Sequence, residues 1–171
     1  LRVLFGAPRL TLDGVLLSSA LAMEGGALFL SNCTFLNSSA NLGGALQLSA
    51  GALNAEGTAF VRCTARRGGA VHVSGGTASF SDCRFEQCSA SESGGALLVE
   101  QTGRVLLRQA THLFDNYAGG SRESILLAAG GVLEYQLPAP LGHYINSLGQ
   151  SSLALRAGNA YGDYPHACAA G

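Results

Sequence analysis

An all-β chain wound as a parallel β-helix of roughly six coils is the fold this sequence predicts, on three observations. Phe35, Phe60 and Phe85 lie 25 residues apart, and the same step links Ser38, Cys63 and Cys88, then Cys33, Thr58 and Cys83, then Ala40, Ala65 and Ala90. A doubled glycine recurs just before short apolar runs, at Gly25–Gly26, Gly43–Gly44, Gly68–Gly69, Gly94–Gly95 and Gly119–Gly120. Those runs alternate with period two, as in Leu46/Leu48, Val71/Val73 and Leu97/Val99. A fixed step of roughly 20–50 residues marks a repeat array, and period-two runs bounded by Gly, Ser, Asn and Asp read as strands. Helical repeats would need longer amphipathic segments free of glycine.

Taken in order, LTLDGVLLSSALAM from Leu10 reads as a coil with a degraded pattern. The step from Gly25 to Gly43 is 18 residues, which predicts a coil lacking most of its middle strand. Regular coils follow, and a fourth copy keeps Leu113, Asn116 and Ala118 at the spacing of Phe85, Cys88 and Ala90. Successive coils should stack at about 4.8 Å, the distance between paired strands. SILLAAGGVLEYQL from Ser124 supplies two further strands. Pro138 and Pro140 then end the regular structure, since proline donates nothing to a ladder. The expected organisation is a β-helix over 1–137 and an irregular C-terminal cap, or a linker, over 138–171.

The ten paired glycines are expected at coil corners, where a positive φ or a missing side chain lets neighbouring coils approach. Alternation after each pair turns Leu46 and Leu48 inward and Gln47 outward. Phe29, His72 and Leu98 fall in that same outward position, a candidate contact strip.

FLNSSANLGGAL at Phe35, FVRCTARRGGAV at Phe60 and FEQCSASESGGAL at Phe85 resemble the FxxNxA-then-GGA pattern of polymorphic outer-membrane protein repeats. LFDNYAGG at Leu113 keeps the Asn and Ala but not the Phe. The resemblance spans roughly residues 25–120 and departs in the Asn column, which reads Ser38, Cys63, Cys88 and Asn116. It implies a pectin-lyase-like, right-handed parallel β-helix in a secreted, adhesive or cell-surface protein. The HACAAG tail resembles the start of the Cys-rich CPAG-type modules that follow such helices in large surface proteins, with Ala169 where Pro is expected.

Composition bounds the rest. The 171 residues suffice for a substantial core. Only 12% are charged, with ten Arg, no Lys and a net charge of −1, against about 25% charged in an average domain. There is no basic stripe to attract nucleic acid and no apolar run approaching the ~20 residues of a membrane-spanning helix. Beginning at Leu1, the chain reads as a mature or excised segment, with any targeting sequence out of view.

Cys63 and Cys88 share a column in adjacent coils, so their Cα atoms should lie within the roughly 4.4–6.8 Å of a disulfide. The competing expectation is a pair of buried free thiols. Cys33 and Cys83 sit two coils apart, too far to pair, and Cys168 stands alone near the C-terminus, open to a partner outside this segment. Two N-glycosylation sequons, Asn32-Cys33-Thr34 and Asn37-Ser38-Ser39, place acceptors near a corner. A sugar coat at Asn37 in particular would keep a charge-poor surface in solution.

No catalytic constellation emerges. A lyase of this fold needs clustered carboxylates with a base, and a glycosidase needs two carboxylates across the scissile bond. Asp82, Glu86, Glu92, Glu100 and Asp115 form no acidic column, and the four histidines have no metal-ligand spacing. The expectation is a non-catalytic structural or adhesive rod of a secreted or surface assembly. It carries no cofactor and no metal, and touches other protein chains, further domains or glycans. A carbohydrate-active enzyme and an autotransporter passenger are the alternatives.

Overall fold

Among the described residues, each coil contributes strands to up to four stacks of parallel strands. The computed structural model describes residues 2–3, 9–108 and 110–136, and the short strands at 143–144, 152–154, 159–161 and 166–167. The described chain is all-β, a parallel solenoid of about five turns. Sheet I stacks the first part of Leu21–Ser31, the first part of Leu46–Glu56, Val71–Val73, Leu97–Val99 and Ile125–Leu127. Sheet II stacks Leu10–Asp13, the second halves of the two 11-residue strands, Thr77–Ser81, Arg104–Leu107 and Val132–Gln136. Sheet III stacks Leu16–Leu17, Thr34–Leu36, Ala59–Val61, Arg84–Glu86 and His112–Phe114. Sheet IV is shorter: Thr64–Arg67, Ser89–Ser93 and Tyr117–Ala118, with Ser39 and Leu42 bridging to the first.

The phenylalanine column is the spine. Phe35 pairs with Phe60 and Phe60 with Phe85, in register, and Leu113 continues the column. The three rings stack with centroids 5.2 and 4.5 Å apart and planes within 9° of parallel. Phe80, from sheet II, meets Phe60 and Phe85 edge-on at 6.0 and 5.2 Å. Offset stacks and edge contacts are the geometries aromatic quadrupoles favour. All four rings are fully buried, among inward Leu, Val, Ala and Cys side chains from every coil.

The glycine pairs do not all occupy one corner. Gly43, Gly68 and Gly94 do, with φ of 57°, 64° and 65°, just before sheet I. Gly25 and Gly26 lie inside the strand Leu21–Ser31, at the next corner, where Gly26, Gly51 and Gly76 share positive φ. Leu21 pairs with Leu46, a full 25-residue coil, so that coil has lost no strand. The shortfall falls one coil earlier. Leu17 to Leu21 spans 4 residues where Phe35 to Leu46 spans 11, and that first coil has no sheet IV strand. Gly119 and Gly120, with φ of 54° and 82°, form a two-residue hairpin loop between Tyr117–Ala118 and the antiparallel Ser121–Arg122. Glu123 takes the place of the second corner glycine there, its carbonyl accepting from Gly95 N–H.

Two further corners per coil also need a positive φ. Gly14, Asn32, Gly57, Asp82 and Ala110 stand before sheet III, and Asn37, Arg62, Gln87 and Asp115, none of them glycine, after it. Asn and Asp tolerate this region best among side-chain-bearing residues. At the far end, Ser152–Ala154 runs antiparallel to Val132–Gln136 and Asn159–Tyr161 antiparallel to Ile125–Leu127.

A β-carbon on Gly69 would overlap the backbone carbonyl of Gly95 in the neighbouring coil, whereas one on Gly120 would meet nothing within 4 Å. Gly69→Ala is therefore expected to destabilise the fold by more than about 3 kcal/mol, an overpacking with no flexible atom to yield. Gly120→Ala should cost about 1 kcal/mol, the strain of positive φ alone. Urea midpoints of the two variants measure the difference.

Candidate contact surface and buried polar columns

The polar side chains aimed inward are donors. Wherever a corner residue of positive φ precedes sheet IV, the next side chain turns in and donates to a backbone carbonyl of the coil before. Ser38 Oγ reaches Leu17 O at 3.5 Å, Cys63 Sγ reaches Phe35 O at 3.7 Å, Cys88 Sγ reaches Phe60 O at 3.4 Å, and Asn116 Nδ2 reaches Phe85 O at 3.1 Å. Asn116 also accepts from Cys88 N–H at 2.9 Å and donates to Ser124 Oγ. A second column before sheet III does the same with Cys33 on Leu12 O, Cys83 on Ala55 O and Thr111 on Phe80 O. Thr58, in that column, instead donates to Glu56 O of its own coil.

Cys33, Cys63, Cys83 and Cys88 are all free and buried. Register places Cys63 over Cys88, and interaction with the Cys88 thiol holds the Cys63 thiol below its ordinary value. Burial pushes the Cys83 thiol up to about 12 and Cys88 well above the usual thiol range. In the folded chain burial therefore disfavours the thiolate, the form that reacts, at both. Cys168 lies outside the described residues.

The candidate strip divides. His72 and Leu98 share a sheet I column with Gln47 and Leu126. Phe29 belongs to sheet II, in register with Thr11 and Asn54. Gly25–Gly26, which precede it, sit at the other corner, so Phe29 falls in a different sheet. His72 and Leu98, though outward by alternation, are 2% and 0% exposed. They offer no open strip.

His72 instead enters a charged cluster. Its Nε2 lies 3.0 Å from Glu100 Oε1, and Arg67 donates to Glu100 Oε2 at 2.6 Å. His72 Nδ1 is buried without a partner. Burial works against the Glu100 charge, but the His72 hydrogen bond and the nearby Arg67 guanidinium outweigh it and hold the carboxyl below its ordinary value.

The open surface is on the outside of sheet II. A cleft of about 440 Å³ crosses its middle coils, lined by Phe29, Ser31, Asn54, Glu56, Ser79, Ser81 and Arg108. Arg9 stacks its guanidinium 4.0 Å from the Phe29 ring centroid, a cation–π contact. The cleft's signal was the column Phe29, Asn54, Ser79, visible only in sheet II register.

Asp82 and Glu86 do not face a common point. Asp82 sits at a corner with φ 53° and accepts from Ser81 Oγ, and Glu86 pairs with Arg84 on sheet III. Among the described residues, no group of three or more His, Cys, Asp and Glu side chains is placed to hold a metal ion, and no helix is long and apolar enough to cross a membrane. Asn32 and Asn37 are both exposed, at consecutive corners of one coil. Comparison with family models, curated proteins and solved structures finds no match to this chain.

A lowered carboxyl stabilises the fold above its unfolded value and loses that contribution as pH falls. For Glu100 the contribution is therefore complete above the ordinary value of 4.5 and drains away below it. Glu100→Gln should cost about 2 kcal/mol at pH 7, the size of a hydrogen bond to a charged group. It should also flatten the acid limb of stability, measured by urea unfolding between pH 3 and 7.

Proposed function

We infer that this chain is a non-catalytic structural or adhesive rod of a secreted or cell-surface assembly, working through contacts with other protein chains or further domains. One observation carries the reading. What recurs from coil to coil is inward: the phenylalanine stack, the donor columns and the glycine corners. What changes is outward, as in the sheet II column Thr11, Phe29, Asn54, Ser79, Leu106. A repeat whose constant residues build the scaffold leaves its variable face for recognition. The cleft beside Phe29 is the surface best shaped for a partner, and exposed Asn32 and Asn37 suit N-glycans on a secretory route.

A carbohydrate-active enzyme is the second reading, favoured by the same cleft, whose hydroxyl, amide and aromatic lining suits a sugar. Glu56 is the single carboxylate among its described lining residues, where hydrolysis across a glycosidic bond calls for a pair.

Incubation of the purified chain with a panel of plant, bacterial and animal polysaccharides should release no new reducing ends or unsaturated products. An antibody to this segment should label intact cells that express the full-length gene product. Product release by the wild-type chain that disappears in Glu56→Gln, or in Asp82→Ala with Glu86→Ala, would overturn the rod in favour of the enzyme.

A further inference from the structure

We propose that Cys63 and Cys88 form a cross-link site, where a disulfide oxidant joins two adjacent coils across the Phe60–Phe85 rung. The pairing is set by register. Phe60 sits on Phe85 and Thr64 on Ser89, so the ladder holds the two cysteines between them directly over one another. Both thiols are fully buried in the same interior column. Each also donates to a backbone carbonyl one coil back, which fixes which way both side chains point.

The molecule carries its own comparison. Cys33 and Cys83 are equally buried, belong to a parallel column and donate to carbonyls in the same manner. Thr58 stands between them, two rungs of about 4.8 Å separate them, and no bond can span that gap. Burial, donor pattern and residue type are therefore matched, and only adjacency differs.

The chemistry balances with oxidised glutathione as the named co-reactant. The Cys63 thiolate attacks one sulfur of glutathione disulfide and expels glutathione thiolate, which takes up a proton. The Cys88 thiolate then attacks the mixed disulfide at the Cys63 sulfur, forming the Cys63–Cys88 bond and expelling a second glutathione. Two protein thiols are oxidised and one glutathione disulfide is reduced to two thiols. Because both sulfurs are interior, the exchange takes place while the chain is folding, and the finished bond is closed to later reduction. Both donated S–H bonds are lost, and closing a loop of about 25 residues in the unfolded chain outweighs them. The proposal stands on register and burial, and does not require the rod reading.

The test refolds a Cys168→Ser chain from denaturant in oxidised/reduced glutathione, alkylates free thiols, and maps tryptic peptides without reduction. The expected product joins the peptide Cys63–Arg66 to Phe85–Arg104, two hydrogens lighter than the sum, with Cys33 and Cys83 alkylated. The oxidised chain should melt about 5–10 °C above its reduced form. Cys63→Ser, which installs the residue found at Ser38 in the same column, should fold but lose both the linked peptide and the rise. Alkylation of both Cys63 and Cys88 after refolding overturns the proposal, as does linkage of either to Cys33 or Cys83. A linked pair that melts no higher than the reduced chain overturns it as a staple.

Discussion

Everything in this molecule follows from the register of a parallel ladder closed on itself. Each coil lies on its neighbour residue for residue, so whatever one coil aims inward must fit what the next aims inward at the same place. Identical flat rings satisfy that condition by stacking, which is what Phe35, Phe60 and Phe85 do. The ladder also has a cost at its corners. Beside these corners of positive φ, polar side chains turn into the interior, where each must find a partner. A buried donor without an acceptor costs about 1–3 kcal/mol. The side chains of Ser38, Cys63, Cys88 and Asn116, and of Cys33, Cys83 and Thr111, find theirs on strand carbonyls of the coil before. A thiol, a hydroxyl and an amide are interchangeable there because the requirement is only one short donor.

That requirement explains why so much of the fold was legible in the sequence. Inward positions are constrained from above and below, so Phe35, Phe60 and Phe85 and both donor columns recur at a constant step and declare the period. The first and last coils were legible as irregular for the same reason, since Leu10–Asp13 and Val132–Gln136 have a regular neighbour on one side only. The glycine pairs misled because a coil has several corners that demand positive φ. Gly25–Gly26 and Gly43–Gly44 look alike as dipeptides but turn different corners, and Gly119–Gly120 closes a hairpin. Nothing in a dipeptide says which bend it makes; the register of the flanking strands does.

The outward surface was much less legible. Alternation says that His72 and Leu98 leave the core, and they do, yet both are buried. Parity fixes a side chain's direction, while burial depends on what else packs there, here Glu100 and Arg67 for His72. The cleft on sheet II was hidden in the sequence because Phe29, Asn54 and Ser79 are chemically unlike and line up only once the sheet II register is known. The same looseness makes the outer face a place where recognition can vary without disturbing the stack.

If register is the governing constraint, a whole coil is removable and part of one is not. Deleting residues 46–70 joins Ala45 to Val71, equivalent to the native junction of Ala70 with Val71, and lets Leu21 pair with Val71 in place of Leu46. This chain should still fold cooperatively, with the β-sheet far-ultraviolet signal kept and a smaller denaturant dependence in proportion to its lost surface. Deleting only residues 46–57 should abolish folding, because every later side chain would face the wrong partner. A full-coil deletion that fails to fold while the half-coil deletion folds as well as the parent would contradict the account.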